Sequence, residues 1–182
     1  MEGKSKEEIL KGYLWALKKM RPTLKTLFRA ASKSVKDLNG LQLRPQRSFN
    51  MREVMERAAM LERAQEIYAA SIFLVLDQWI KALSKSLGID EHQREFGEQI
   101  GRARLALLIW ATANNFRHYG EWAEPNKLAK VNIKILDAAG VHNVQNSIVS
   151  PQVLQVLQVR TYEELEAKVE GIGKDMLARA FG

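Results

Sequence analysis

Nine residues, Asn114-Asn115-Phe116-Arg117-His118-Tyr119-Gly120-Glu121-Trp122, gather two amides, a guanidinium, an imidazole, a phenol, a carboxylate and an indole. On a helix, Asn114 and His118 are four residues apart and share a face. A histidine at a helix C-terminus can serve as general acid or base near neutral pH. The amides and the Arg117 guanidinium could hold a phosphate. Asn114, Arg117 and His118 are therefore the candidate catalytic residues. A plainer reading fits the same residues. Polar side chains gather at helix ends to satisfy carbonyls and to turn the chain.

A second group of residues offers binding chemistry. Lys18, Arg21, Lys25, Arg29, Lys33 and Lys36 recur every three to four positions. That spacing places six cations on one helical face, a track for a nucleic-acid backbone or an acidic partner protein. A solvated outer face is the alternative. Residues 1–50 hold 12 Lys/Arg and 4 Asp/Glu, a net of +8, whereas the whole chain of 182 residues carries +7. The basic excess thus belongs to the N-terminal segment. Aromatics are not read as interleaved with these lysines, so stacking on single-stranded bases is not expected.

Other chemistries find little support. The chain has no cysteine, which removes disulfides, thiolate metal sites and cysteine nucleophiles. His92, His118 and His142 are scattered, and no spacing resembles a metal-ligand set. No phosphate-cradling glycine loop occurs. No metal and no cofactor are expected. Asp77 is a lone carboxylate within the apolar stretch from Ile72 to Ile80. If buried, it needs a cation, and Arg102 or Arg104 on the following helix would supply one.

The elements that must position these groups read as helices throughout. Ser5 and Glu8 form a capping box for a first helix, which Pro22 should kink and Asn39-Gly40 should end. Asn50 and Glu53 open a second helix of more than thirty residues, polar to Glu66 and apolar to Leu87, stopped by Gly88. A third helix is expected from Asp90 to His118, with Gly97 and Gly101 marking a close helix approach and Gly120 ending it. Pro125-Asn126, Ser150-Pro151 and Thr161 with Glu164 open three shorter helices. The fold class is all-α: a bundle of three long core helices and about three shorter C-terminal ones. It forms one domain, a core over about residues 5–140 followed by a helical extension over 141–182. The longest apolar run, Ile72 to Leu76, is too short to span a bilayer, and no leader is seen, so a cytoplasmic location is expected. Met51, Val54, Met55, Ala58, Leu61 and Ala64 form an apolar stripe on a charged half-helix, which predicts a homodimer.

The segment Ala113-Asn114-Asn115-Phe116-Arg117-His118, at the end of a helix, resembles the signature of HEPN (higher eukaryotes and prokaryotes nucleotide-binding) domains. These are all-helical, usually dimeric bundles, many of them metal-independent ribonucleases of bacterial defence and toxin–antitoxin systems. The resemblance covers roughly residues 50–140. It implies RNA or nucleotide binding, with Asn114 and His118 at the phosphate. Where the family carries its Arg this chain has Ala113, so cleavage is not implied with it. Two alternatives stay open: a non-enzymatic protein–protein interaction or structural dimer, and a metal-independent RNase relying on His118.

Overall fold

The computed structural model describes residues 5–42, 50–90, 93–118, 127–142, 144 and 148–181. The protein is an all-α bundle with one two-residue hairpin. Helix α1 spans Lys6–Gln42 and α2 spans Met51–Leu87. They pack antiparallel: near the start of α1, the Tyr13 hydroxyl meets Ser86 Oγ at 2.7 Å, and Trp79 Nε1 donates to the Tyr13 carbonyl at 2.8 Å. Strands β1 (Gln99–Ile100) and β2 (Ala103–Arg104) pair antiparallel, and α3 (Leu105–Arg117) follows directly. Then come α4 (Lys127–Ala138), α5 (Val149–Val156) and α6 (Tyr162–Phe181).

Local signals explain most helix ends. Ser5 Oγ accepts from the Glu8 amide at 3.2 Å while Glu8 Oε2 accepts from the Ser5 amide at 2.8 Å, a reciprocal capping box. Asn50 caps α2 by accepting from the Arg52 amide at 3.2 Å. Gly88 closes α2 at φ 70°, a left-handed conformation that suits glycine.

Two features of α1 bear on the expectations. The helix runs on through Pro22 without a restart. Pro22 and Lys18, whose carbonyl loses its helical donor, both lie on the exposed face, where water can replace the missing bond. Asn39-Gly40 does not end the helix, which continues to Gln42.

The third helix is also corrected. Residues 93–104 are not helical, and α3 begins only at Leu105. Gly97 at φ 80° and Gly101 at φ 57° turn the chain instead of marking a helix–helix crossing. A side chain at Gly101 would meet the Ala138 carbonyl at 2.5 Å, and one at Gly97 would meet Ile172 Cγ1 at 2.7 Å. The glycines do permit close approach, but of α4 and α6 to a loop. Arg102 N–H secures it by donating to the Ala138 carbonyl at 2.7 Å.

Helix α2 is the axis of the core. It contains a stretch apolar and long enough to cross a bilayer, yet 56% of that stretch is buried within the bundle. Its buried residues begin at Gln65, so the preceding half-helix lies beyond the core. Residues after 140 share the same core: Leu165, Val169, Ile172 and Met176 of α6 are fully buried with Leu17, Leu24, Phe73 and Leu83. Each such side chain stabilises the fold by about 1.5–3 kcal/mol relative to exposure.

Candidate functional site

The end of α3 is built around Asp77. This carboxylate is fully buried on α2. Its Oδ1 accepts from Arg94 Nη1 at 2.8 Å; its Oδ2 accepts from Arg117 Nη2 at 3.0 Å and pairs with Lys81 Nζ at 3.0 Å. The expected partners, Arg102 and Arg104, are not the ones used. They stand on the hairpin, not on a helix antiparallel to α2, and Arg104 donates to the Gly97 carbonyl at 3.1 Å. Arg94 comes instead from the irregular segment before the hairpin and also stacks on Trp110, 5.7 Å from the ring centre.

This arrangement places the sequence-derived site residues. Asn114 is buried, and its Oδ1 accepts from Arg117 Nη1 at 3.1 Å. Arg117 therefore bridges Asn114 and Asp77 rather than presenting a free fork to solvent. His118 is the half-buried residue that ends α3, its amide donating to the Asn114 carbonyl at 3.1 Å. Asn115 is buried with neither amide atom hydrogen-bonded, and Asn132 of α4 is in the same state. Tyr119, Gly120, Glu121 and Trp122 lie outside the described residues. The structure thus brings Asn114 and Arg117 together directly, with Arg117 also held by the buried Asp77 carboxylate.

The basic stripe is arranged differently. Two of its six cations are bound to α6. Arg21 donates through Nε at 2.8 Å to Glu166, and Lys25 pairs with Glu163. The hydrogen bond from Lys25 holds the Glu163 carboxyl below its ordinary value, and the bond to Glu166 raises Arg21. Among the described residues no carboxylate pairs with Lys18, Arg29, Lys33 or Lys36. All four side chains are exposed.

Tertiary packing adds a fifth unpaired cation. The turn between α5 and α6 passes through Gln158 at φ 54°, a left-handed position rare for a side-chain-bearing residue. It then enters α6 through a second capping box: Glu164 accepts from the Arg160 and Thr161 amides at 2.6 and 3.4 Å, and Thr161 Oγ1 accepts from the Glu164 amide at 3.2 Å. This fixes Arg160 opposite α1. A groove of about 480 Å³ results, lined by Lys25, Arg29, Lys33 and Lys36 on one wall and Arg160, Thr161 and Glu163 on the other. A second cavity of about 370 Å³ shares Phe28, Ser32, Lys36 and Arg160 with it and extends toward Pro151 and Gln155 of α5. Five cations face one carboxylate, and that carboxylate is already paired with Lys25. The Ser32 and Thr161 hydroxyls have no histidine or unpaired carboxylate beside them in the groove, so its lining supplies anion binding without a nucleophile–base pair.

No known family, characterised protein or solved structure matches this chain. The functional reading therefore rests on the geometry.

Two residues of this basic surface are not among those singled out from the sequence above. Arg160 carries no local signal, because its partners lie over a hundred positions earlier. Trp15 did carry one. It sits three residues before Lys18 and is 63% exposed, so an aromatic stands beside the basic stripe although none is exposed within it. A third cavity, about 560 Å³, lies between α2 and the end of α3, lined by Glu62, Arg63, Glu66, Ile67, Phe116 and Ile148. Its Glu66 is occupied in capping α5, accepting from the Ser150 amide at 3.0 Å and the Ser150 hydroxyl at 2.7 Å. Burial nevertheless pushes the Glu66 carboxyl above its ordinary value.

Proposed function

We propose that the protein binds RNA through its phosphates, along the exposed basic face of α1 and the groove between α1 and the α5–α6 turn. One observation carries this reading: Arg29, Lys33, Lys36 and Arg160 converge on one groove whose single carboxylate among the described lining residues, Glu163, is already paired with Lys25. Cations that merely keep a surface soluble are usually interspersed with acids, and unopposed convergence favours a polyanion. The resemblance to HEPN domains points to the same ligand class. Cleavage is not part of the proposal, because Arg117 is engaged with buried Asp77 and with Asn114, and the described lining of the groove holds no unpaired base.

Binding should depend steeply on salt. Four phosphate contacts on a single strand give a slope of about −3 in log K against log salt, a loss of about 50-fold between 50 and 200 mM. Changing Arg29, Lys33 and Lys36 together to Glu should abolish the binding and leave the fold intact, since all three are exposed. Absence of binding at low salt, or binding that survives the reversal, would overturn the proposal.

A second reading is supported by a different surface. Met51 and Met55 are 53% and 66% exposed on one side of the part of α2 that lies beyond the core, with Met60, 73% exposed, on the opposite side. This favours a homodimer or a partner protein there. It is compatible with RNA binding, because the groove uses α1, α5 and α6.

A further inference from the structure

We infer that the RNA strand bound at this face is single-stranded, and that Trp15 is the platform on which one of its bases stacks. The inference rests on the phosphate-binding reading above and deepens it.

Trp15 is 63% exposed, whereas every other described aromatic side chain is buried or half-buried. Its position on α1 gives it a context. At 100° per residue, Trp15 lies within about 60° of Lys18, Arg29, Lys33 and Lys36, and about 140–180° from buried Leu17, Leu24 and Phe28. It therefore stands on the cationic face, not at the edge of the core. From Trp15 to Lys36 the helix rises about 30 Å. That length suits a track several nucleotides long, with the groove at one end and the indole at the other. Lys19 Nζ lies 5.1 Å from the indole centre, so a cation is already held beside the ring. A base stacked on the indole would bring its flanking phosphate toward Lys18 and Lys19.

Stacking platforms read strands whose bases are unpaired. A duplex keeps its bases inside and offers this face phosphates alone. An aromatic set among unpaired cations is the pairing of features that single-strand binders combine.

A membrane surface is the competing partner for an exposed tryptophan among lysines. A membrane-lying helix carries its tryptophan on an apolar face that enters the lipid. In α1 that apolar face is occupied: Leu10, Leu17, Leu24 and Phe28 are buried in the core. The neighbours of Trp15 one turn away, Lys11, Gly12, Lys18 and Lys19, include no apolar side chain to insert with it, which disfavours lipid.

The test compares Trp15→Ala and Trp15→Phe with the native chain. The probes are an unstructured RNA of about 12 nucleotides, within the usual site size of such proteins, and a duplex RNA of the same length. The native protein should prefer the single strand. Trp15→Ala should weaken single-strand binding about 5- to 150-fold, the usual effect of removing one stacking aromatic, and leave duplex binding unchanged. Trp15→Phe should restore most of the loss. The native chain's tryptophan emission should be quenched by the single strand, and Trp15→Phe should remove that quenching. Melting curves of all three should nearly coincide, because the side chain is largely exposed. Equal binding of single strand and duplex, with no effect of Trp15→Ala, would overturn the inference. If Arg29, Lys33 and Lys36 reversal still abolished binding in that case, the phosphate reading would stand alone. If the reversal had no effect either, both would fall. A blue shift of Trp15 emission on vesicles with anionic headgroups, without any RNA effect, would replace the strand with a lipid surface.

Discussion

Asp77→Asn should be the most destabilising isosteric change in the described part of the bundle. The carboxylate is fully buried and binds three cations: Arg94, whose side chain is 6% exposed, and Arg117 and Lys81, at 27% and 29%. Burying these charges is costly, and the negative charge of Asp77 is what offsets that cost. Asparagine keeps the shape and one oxygen acceptor but removes the charge. Arg94 Nη1 meets the Asp77 carboxylate at 2.8 Å inside the bundle, and the substitution removes that charge from the buried pair. Breaking a buried pair by removing one partner costs about 3–5 kcal/mol. For a domain of this size each kcal/mol moves the midpoint by about 2–4 °C, so Tm should fall by about 6–20 °C. Differential scanning calorimetry at neutral pH reads this directly, with urea unfolding as a check on two-state behaviour. Added salt should not reproduce the effect in the native chain, because buried pairs are weakly screened. Arg117→Ala in the same assay should cost less, about 1–2 kcal/mol, since its side chain is partly solvated and Asp77 keeps two cations. It should leave RNA affinity unchanged. A Tm for Asp77→Asn within about 2 °C of the native value would refute the assignment of the cluster as a stabilising centre. Loss of RNA binding in Arg117→Ala with an unchanged Tm would return Arg117 to the functional site.

The exposed Met51 and Met55 should make the chain self-associate: light scattering at tens of micromolar, a range that reports moderate affinities, should give a dimer, and Met51→Glu with Met55→Glu should give a monomer. A native monomer at that concentration would leave this face without a self-partner. Glu66 should make stability fall as pH rises. Its folded carboxyl is raised above its ordinary 4.5, so the folded state holds the proton longer than the unfolded chain does. Stability is then greatest below the unfolded value and declines between 4.5 and the raised folded value. Glu66→Gln should flatten that part of the pH–stability curve, and an unchanged curve would place the effect elsewhere.

Helical periodicity and caps made the fold class legible from the sequence. The capping boxes at Ser5–Glu8 and Thr161–Glu164 and the left-handed stop at Gly88 are local chemistry, fixed by residues within one turn of each other. The cationic face of α1 was legible for the same reason, since residues three and four apart must share a face. Three features depended on tertiary structure. Gly97 and Gly101 looked compatible with a helix, and only the contacts with Ile172 and Ala138 required a turn there. Once that segment left the helix, the register argument pairing Asp77 with Arg102 or Arg104 lost its basis, and Arg94 and Arg117 took the carboxylate. The groove was hidden because its walls, Lys25 to Lys36 and Arg160 to Glu163, are brought together by packing over a long stretch of chain. The same packing decided which cations of the stripe are available: Arg21 and Lys25 found acids on α6, while Lys18, Arg29, Lys33 and Lys36 did not. Charge and periodicity determine which face of a helix is polar. Which of its charges are neutralised depends on what folds against it, because Coulomb interactions at ion-pair distance follow position in space and not order in the chain.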